Sequence, residues 1–393
     1  MARPRRFSIA VLVVLLLLPL SLQNNPNNES VAAHQKASLA SSYIPHDEIW
    51  IYGNEMFLEQ AELEGWPGNG TSEDPFLITG YYFNTWDKPL TIYHTTLHWI
   101  FTNNLIDGED DHGGTWIQNC TNGAIIDNEI CNRRFGVAVA GGFGINITGN
   151  YVHDCWENGI EFIAGMNGAL VQNNTIENIG VAGFYSGLSN ESIIANNTFR
   201  NCGNYGVSLL GVTSNCTVID NSLTYCGNNT LEGVGMRVTA FESSEISSNM
   251  ITTCTSHGIL IDTGSNSSIA QNTITNASGY AVALLSATSH TSLKFNTFID
   301  NGVDCQVSDN GTLNEISHNY YSDWTTPDNN SDGYVDVPYL IDGEAENSDL
   351  FPLANAGVIP TEPTDSVSLE IILSLASIVS LVVLVGVFYS RRS

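Results

Sequence analysis

A repeat of about 24 residues is the feature that most constrains what this 393-residue chain can fold into. When hexamers of the type I-x-x-N-x-I are aligned on their asparagine, ten asparagines fall at spacings of 22 to 28 residues. The position three before each asparagine and the position two after it are large and apolar or aromatic in every repeat. Such a period is typical of a solenoid. The aligned residues are Asn104, Asn128, Asn150, Asn174, Asn197, Asn221, Asn249, Asn272, Asn296 and Asn319.

The repeat predicts short strands that stack in parallel. Because side chains alternate between the two faces of a strand, an apolar residue repeated at one position of every coil fills a continuous interior. A second strand is indicated in several repeats, for example by Tyr205-Gly206-Val207, and glycine or asparagine marks corners that need positive φ. The asparagines can hydrogen-bond to one another along the stack. No leucine-rich frame or propeller signature is present. The sequence therefore predicts an all-β, single-stranded parallel β-helix of about ten coils.

A solenoid needs a cap at each end. Residues 54–64 carry apolar residues at helical spacing and are predicted to plug the first coil, while residues 320–353 are predicted to close the last. We therefore expect an N-terminal cap with the first turn at 47–100, and the β-helix with its closing loop at 101–353. The apolar residues of the predicted plug are Met56, Phe57, Leu58, Ala61 and Leu63.

The N-terminal segment predicts export. Three arginines precede an unbroken apolar run from Phe7 to Leu20, as in a secretory signal. No A-x-A site follows, so residues 1–23 are either a signal peptide or an N-terminal anchor, joined by a linker at 24–46. Thirteen Asn-x-Ser/Thr sequons fit an exported glycoprotein.

The C-terminal segment predicts a membrane span. Leu369–Tyr389 is apolar apart from Glu370 and a few small or hydroxyl residues, and about 20 helical residues cross a ~30 Å hydrocarbon layer. Arg391 and Arg392 follow at once, which places a short tail, 390–393, on the cytoplasmic side. Residues 354–368 are predicted to be a stalk. We expect a single-pass cell-membrane protein with an extracellular ectodomain and a cytoplasmic C-terminus.

Charge excludes one class of partner. The chain has 41 acidic against 12 basic residues, a formal net charge of -29, so it would repel nucleic acid. Divalent cations or solubility at high salt are the remaining explanations for the acidity. The eight cysteines are an even number in a compartment that permits disulfides, and their pairing is open.

The ends of the repeat region carry more specific motifs. The opening segment Gly65–Ile78 reads GWPGNGTSEDPFLI, and the closing segments 319–324 and 338–343 read NYYSDW and PYLIDG. With the repeats, they resemble the NosD-like surface proteins of the pectate-lyase-like superfamily. The resemblance covers about 47–353 and implies a right-handed β-helix with a carbohydrate-binding or sugar-processing ectodomain. It also carries an association with copper delivery, but the nine histidines are scattered and no Met-rich or Cys/His cluster is evident, so we do not expect copper.

An acidic loop, 328–336, is the best candidate for a metal site. Oxygen-bearing side chains at its positions 1, 3, 5 and 9, with Gly333 at position 6 and a carbonyl at position 7, reproduce the ligand frame of a calcium loop. Tyr339 replaces the bidentate glutamate at position 12. We expect a structural Ca²⁺; the alternative is an acidic turn that only caps the last coil. The predicted ligands are Asp328, Asn330, Asp332, Tyr334 and Asp336.

Three charged residues are the candidates for catalysis. His153, Glu177 and Arg200 each follow a repeat asparagine by three positions, so they are predicted to be neighbours on an outward face. Such a row could hold an acidic sugar and supply a base; the alternative is a surface ion pair. Polygalacturonase signatures occur only as fragments at the wrong separation.

These observations favour a binding protein over an enzyme. We expect a membrane-anchored extracellular β-helix protein that binds a carbohydrate or a partner protein at the cell surface. A polysaccharide lyase or glycoside hydrolase, and a structural envelope protein, are the alternatives.

Overall fold

The computed structural model describes residues 43–108, 112–211, 213–228, 233–302 and 304–357. The solenoid belongs to a compact unit that begins at Pro45. The predicted signal at 1–23, most of the linker, the stalk from 358 onward and the span at 369–389 lie outside the described residues. Within the described residues, no helix combines the length and the apolar character needed to cross a bilayer.

Three parallel β-sheets wind around one apolar core, and each coil contributes to all three. Sheet 1 contains, after the two-residue strand Ile44–Pro45, the described strands Tyr81–Phe83, Leu105–Asp107, Glu129–Cys131, Tyr151–His153, Thr175–Ile179, Thr198–Cys202, Ser222–Thr224, Met250–Cys254, Thr273–Ala277, Thr297–Ile299 and Tyr320–Tyr321. Sheet 2 contains the described strands Ile49–Tyr52, Leu90–Tyr93, Thr115–Thr121, Val137–Phe143, Asn158–Asn167, Ala182–Ser186, Ser189–Asn190, Tyr205–Leu209, Thr213–Ser214, Val234–Val238, Phe241–Glu242, Ile259–Ser265, Val282–Ser289 and Val307–Asp309. Sheet 3 contains the described strands Phe76–Thr79, Trp99–Thr102, Gly123–Ile126, Asn146–Thr148, Leu170–Gln172, Ile193–Ala195, Thr217–Ile219, Glu245–Ser247, Ser268–Ala270, Ser292–Lys294 and Glu315–Ser317.

The interior confirms the predicted alignment of apolar residues. In sheet 3, Ile147 lies opposite Val171, and Val171 lies opposite Ile194, so the three side chains form one column. All three are fully buried. Since full burial of such a side chain stabilises a fold by roughly 1.5–3 kcal/mol, columns of this kind in the three sheets supply the main favourable term. The described residues therefore form a parallel β-solenoid of about ten turns.

The repeat asparagines form a continuous buried ladder. The side-chain amide of Asn174 donates to Oδ1 of Asn197 at 2.9 Å and to the carbonyl of Ile147 at 2.9 Å. The backbone N–H of Asn174 donates to the same Oδ1 at 3.0 Å. This pattern recurs from Asn104 to Asn296. Each amide thus satisfies backbone groups that the corner of the coil leaves without a strand partner.

A carboxylate ends the asparagine ladder. Asp349 is fully buried and occupies the place of an eleventh asparagine: its Oδ2 accepts from the backbone N–H of Asn319 at 2.9 Å and from its amide at 3.2 Å. The hydroxyl of Tyr321 donates to the same oxygen at 3.3 Å. Oδ1 accepts the backbone N–H groups of His318 and Phe351, each at 3.0 Å. Five donors therefore compensate for burying this carboxylate.

Left-handed residues make the corners on both sides of the ladder. Asn196 precedes Asn197 with φ 55°, and Asn201 ends the following strand with φ 54°. Asparagine tolerates this region better than other non-glycine residues, which explains why asparagine is so common at the corners of the repeat.

A helix closes the first coil, as the sequence predicts. Helix α1 spans Gly53–Glu64 and ends at Gly65, whose φ of 68° is the left-handed conformation of a C-terminal cap. Phe57 and Ala61 are buried, and Phe57 stacks on Phe76 with ring centroids 5.4 Å apart. The expectation for two other residues is wrong, since Leu58 and Leu63 are exposed. They lie on the far side of the helical turn from Phe57 and Ala61, and the coil covers only one face of the helix.

The closing segment covers the last coil. Tyr339 stacks on the buried ring of Tyr321, with centroids 3.7 Å apart and the planes 10° from parallel. A small antiparallel sheet formed by Tyr339–Leu340 and Ser348–Asp349 brings Asp349 to the end of the ladder. The prediction that 320–353 closes the solenoid is confirmed.

The eight cysteines are all thiols in the structure. Four of them, Cys155, Cys202, Cys226 and Cys254, are buried at equivalent coil positions and pack in the core. Burial raises the pKa of Cys155 and of Cys254 to about 12, so both remain protonated at neutral pH. These residues act as small apolar side chains in the interior.

The ladder predicts a large cost for removing one amide. In Asn197→Ala, the backbone N–H of Asn174 loses its acceptor and the carbonyl of Val171 loses its donor. Each buried group left without a partner costs about 1–3 kcal/mol, so we expect the free energy of unfolding to fall by about 2–6 kcal/mol. Urea unfolding measures this value. Asn84→Ala is the control, because Asn84 is exposed and donates only to the hydroxyl of Tyr82. Equal losses in the two variants would contradict a stabilising role for the ladder.

Candidate functional site

The three predicted catalytic residues lie side by side on the outward face of sheet 1. His153 is opposite Glu177, and Glu177 is opposite Arg200, on three successive coils. Nη1 of Arg200 is 3.5 Å from Oε2 of Glu177, and the Arg200 side chain is largely exposed. The predicted row is therefore present, with an ion pair of the exposed type at one end.

Glu177 is already engaged on both sides. The hydroxyl of Tyr151 donates to Oε1 of Glu177, while Oε2 faces Arg200. Burial and then this carboxylate raise the pKa of the Tyr151 phenol above its usual value, so Tyr151 keeps its proton at neutral pH. A carboxylate held in this way is a structural ion-pair partner. The proposal that it acts as a base stays a prediction.

His153 lies between two carboxylates. Its Nδ1 is 2.6 Å from Oδ2 of Asp154, and its Nε2 is 3.4 Å from Oε1 of Glu129. The ring also stacks on Tyr151, with centroids 4.2 Å apart. Burial alone lowers the pKa of His153, but the hydrogen bonds and negative charges of Glu129 and Asp154 outweigh burial and raise it.

A cysteine joins this group, which the sequence analysis did not foresee. Cys131 lies directly opposite His153 in sheet 1, and Glu129 precedes Cys131 by two residues on the same strand. One ligand-type atom from each of Glu129, Cys131 and His153 lies within 4.8 Å of the others. The expectation that no Cys/His cluster exists is therefore wrong for this pair. Residues 22 positions apart are adjacent here because one coil separates them.

A second surface feature lies on the outward face of sheet 2. Four aromatic residues, Trp50, Tyr52, Tyr93 and Trp116, come from three neighbouring strands, and we call them the aromatic platform. The Trp50 side chain is 52% exposed and that of Tyr52 is 55% exposed. The ring centroids of Trp50, Tyr52 and Tyr93 lie 6.1 to 6.3 Å from one another.

Polar groups surround the aromatic platform. Trp116 donates its indole N–H to Oε1 of Gln118 at 3.2 Å, and Nζ of Lys88 lies 5.8 Å from the centre of the Trp116 ring. Sequence reasoning missed this surface, although the alternation Ile49-Trp50-Ile51-Tyr52 contains the signal. Ile49 and Ile51 are buried, which places the two aromatic residues between them on the outer face.

The predicted calcium loop forms a tight turn at the surface. Oxygens of Asp328 accept the backbone N–H groups of Asp332 and Gly333, each at 3.2 Å, and Oδ1 of Asp332 accepts that of Tyr334 at 2.9 Å. Oδ2 of Asp336 accepts the N–H of Asn329 at 2.7 Å. Asn330 Nδ2 donates to Asp332 Oδ2. These contacts bring the five predicted ligands into one loop, and calcium binding there stays a prediction.

Comparison with known families and structures identifies the repeat. A family model described as "Right handed beta helix region" matches residues 162–321. A second, described as "Periplasmic copper-binding protein (NosD)", matches residues 68–231. The chain is a NosD-like right-handed parallel β-helix protein. No curated protein sequence matches it significantly.

Solved structures support the fold. An alginate lyase from Paenibacillus sp. str. FPU-7 is 13% identical, with a TM-score of 0.50, over 69% of this chain and 99% of that one. DFA-IIIase from Arthrobacter chlorophenolicus A6, solved without its lid in complex with GF2, is 16% identical with a TM-score of 0.43 over 61% and 70%. Tailspike protein 2 from Escherichia coli O157:H7 bacteriophage CAB120 is 10% identical with a TM-score of 0.45 over 74% and 44%. At these identities the likeness concerns the fold alone.

The donor atoms of this β-helix protein do not fit the copper named by the second family model. Copper(I) is selected by soft thiolate and thioether ligands. Among the described residues, the group with metal-ligand character combines one thiol, one imidazole and one carboxylate, which is a hard donor. We therefore derive no copper chemistry from this site.

Calcium is expected to stabilise the closing loop. If the ion binds only the folded chain, calcium at 100 times its dissociation constant raises the free energy of unfolding by about 2.7 kcal/mol. Thermal unfolding with calcium and with a chelator measures the effect. Asp328→Ala and Asp336→Ala should abolish it, whereas Glu344→Gln, an exposed acidic residue outside the loop, should not. An unchanged midpoint in the wild-type chain at millimolar calcium would leave the loop as a plain acidic turn.

Proposed function

We propose that this β-helix protein is a membrane-anchored cell-surface protein that binds neutral glycans through the aromatic platform. The observation that carries the proposal is the exposure of Trp50 and Tyr52 on a regular sheet. Large aromatic side chains are costly to leave in water, and a contiguous group of them is typical of a binding surface.

The chemistry of the aromatic platform suits a sugar ring. The apolar C–H face of a pyranose packs on an aromatic ring, while its hydroxyl groups need donors and acceptors at the edge. Gln118, Lys88 and the phenol groups of Tyr52 and Tyr93 supply them. The strands pair in register, so the rings are held before a ligand arrives, which lowers the entropic cost of binding.

The charge of the chain selects the class of glycan. With 41 acidic against 12 basic residues, a polyanion would be repelled at long range, which favours a neutral saccharide over an acidic polymer or a nucleic acid. The name of the alginate lyase, whose fold is similar, supports a carbohydrate role in general.

The proposed location depends on the two ends of the chain. The apolar run near the N-terminus would direct export, and Leu369–Tyr389 with the following arginines would anchor the protein with its solenoid outside the cell. A partner protein in place of a glycan is the other outcome that the binding experiment can return.

Glycan binding is tested with the full-length chain in detergent on an array that contains neutral and acidic oligosaccharides. We expect binding to neutral glycans, and a loss of about tenfold in affinity in Trp50→Ala, equivalent to ~1.4 kcal/mol. Trp156→Ala is the matched control, because Trp156 is also exposed but lies outside the platform. Binding that is equal in both variants, or absent from every neutral glycan, would overturn the proposal.

Membrane anchoring is tested by deleting residues 369–393. We expect the full-length chain to remain in the membrane fraction after alkaline washing and the shortened chain to be released, because the deletion removes the apolar span. Protease added to intact cells should digest the solenoid of the full-length protein. Retention of the shortened chain would indicate that residues 1–23 anchor it instead.

A further inference from the structure

We propose that Glu129, Cys131 and His153 bind a zinc ion on the outward face of sheet 1. Cys131 and His153 are direct neighbours on adjacent coils, and Glu129 is two residues before Cys131, so all three side chains leave the same face of the sheet. Their ligand atoms lie within 4.8 Å of one another. This site is separate from the aromatic platform on sheet 2 and does not depend on glycan binding.

The donor set matches zinc. Zn²⁺ accepts sulfur from cysteine, nitrogen from histidine and oxygen from glutamate, and three protein ligands with one open position are typical of sites where the ion keeps a water molecule. Zinc–ligand bonds of ~2.0–2.3 Å require the three ligand atoms to be roughly 3.3–3.8 Å apart. Small side-chain rotations of Glu129 and His153 would bring the group to this size.

Asp154 orients the histidine for this role. Its Oδ2 is 2.6 Å from Nδ1 of His153, while Nε2 points to Glu129. A histidine that binds a metal through one ring nitrogen commonly donates the N–H of the other to a carboxylate, which fixes the tautomer and the ring plane. Asp154 is held in turn by the amide of Asn178, at 3.1 Å. Asp154 is therefore a positioning residue, and its interaction is the second observation that points to a metal.

The surroundings favour a cation with access from one side. Cys131 is fully buried and the His153 side chain is 12% exposed, whereas the Glu129 side chain is 30% exposed. An ion would reach the thiol along Glu129. Asp107, opposite Cys131 on the preceding coil, adds negative charge, so the ion would meet carboxylates on several sides.

Zinc would replace protons at this site. In the metal-free structure, Glu129 and His153 share a polar contact of 3.4 Å. Binding requires a neutral imidazole and a thiolate, so the thiol proton, and the imidazole proton where present, pass to solvent. The carboxylate of Glu129 then turns from the histidine to the ion.

The test uses the full-length chain, reduced and freed of metal. Isothermal titration with Zn²⁺ should show one site, and Co²⁺ as a spectroscopic substitute should give the near-ultraviolet absorption of a thiolate–cobalt bond. Cys131→Ser should remove that absorption, and His153→Gln and Glu129→Gln should weaken zinc binding. Asp154→Asn should weaken it by about 10- to 100-fold without changing the number of sites.

Matched controls separate this site from the other thiols and imidazoles. Cys305→Ser and His290→Gln change residues on coils far along the solenoid and should leave both signals unchanged. If Cys131→Ser does not fold, circular dichroism will show it, and His153→Gln and Glu129→Gln carry the test. No zinc binding by the wild-type chain, a thiolate–cobalt band that persists in Cys131→Ser, or zinc affinity unchanged in His153→Gln would each overturn the proposal.

Discussion

The hydrogen bonds of the buried asparagine ladder are the constraint on which this structure depends. Every coil must turn a corner beside the core, and a corner leaves backbone N–H and carbonyl groups without strand partners. An asparagine such as Asn174 accepts one backbone N–H and donates to a backbone carbonyl while it bonds the next amide. The ladder therefore locks successive coils in one register. Asp349 extends the same logic to the last coil, where a carboxylate with several acceptor sites replaces an amide that would have no neighbour to donate to.

This register has consequences at the surface. Once the inward columns are aligned, residues at one outward position also form straight rows, whatever their chemistry. On sheet 1 the row brings together a thiol, an imidazole and carboxylates, and on sheet 2 it brings together exposed aromatic rings. The two surfaces differ in the ligand that they suit, because one offers metal ligands and the other apolar ring faces. A rigid solenoid can therefore display separate binding surfaces without flexible loops, since the backbone that carries them is held by the ladder.

Much of the fold was predictable because its signal is local and repeated. The positions of the ladder asparagines, the buried columns such as Ile147 with Val171, and the plugging residues Phe57 and Ala61 all follow from spacing. The row of His153, Glu177 and Arg200 was predictable for the same reason. Other contacts were not predictable from the repeat. Asp349 lies in the irregular closing segment, outside any period, and the exposure of Leu58 and Leu63 depends on which side of the cap helix meets the coil.

The sequence by itself determined the solenoid, the residues of its interior and the order of side chains along each outward row, because a period of one coil converts spacing in the chain into neighbours in space. Only the tertiary structure decided which of these neighbours interact. The direction of a side chain, its burial and its hydrogen-bond partners depend on the coils above and below. Thus Cys131 is buried against His153, Asp154 holds the ring of that histidine, and Trp50 remains exposed. Repetition specifies the backbone, whereas the chemistry of each surface arises from single side chains that the repeat does not constrain.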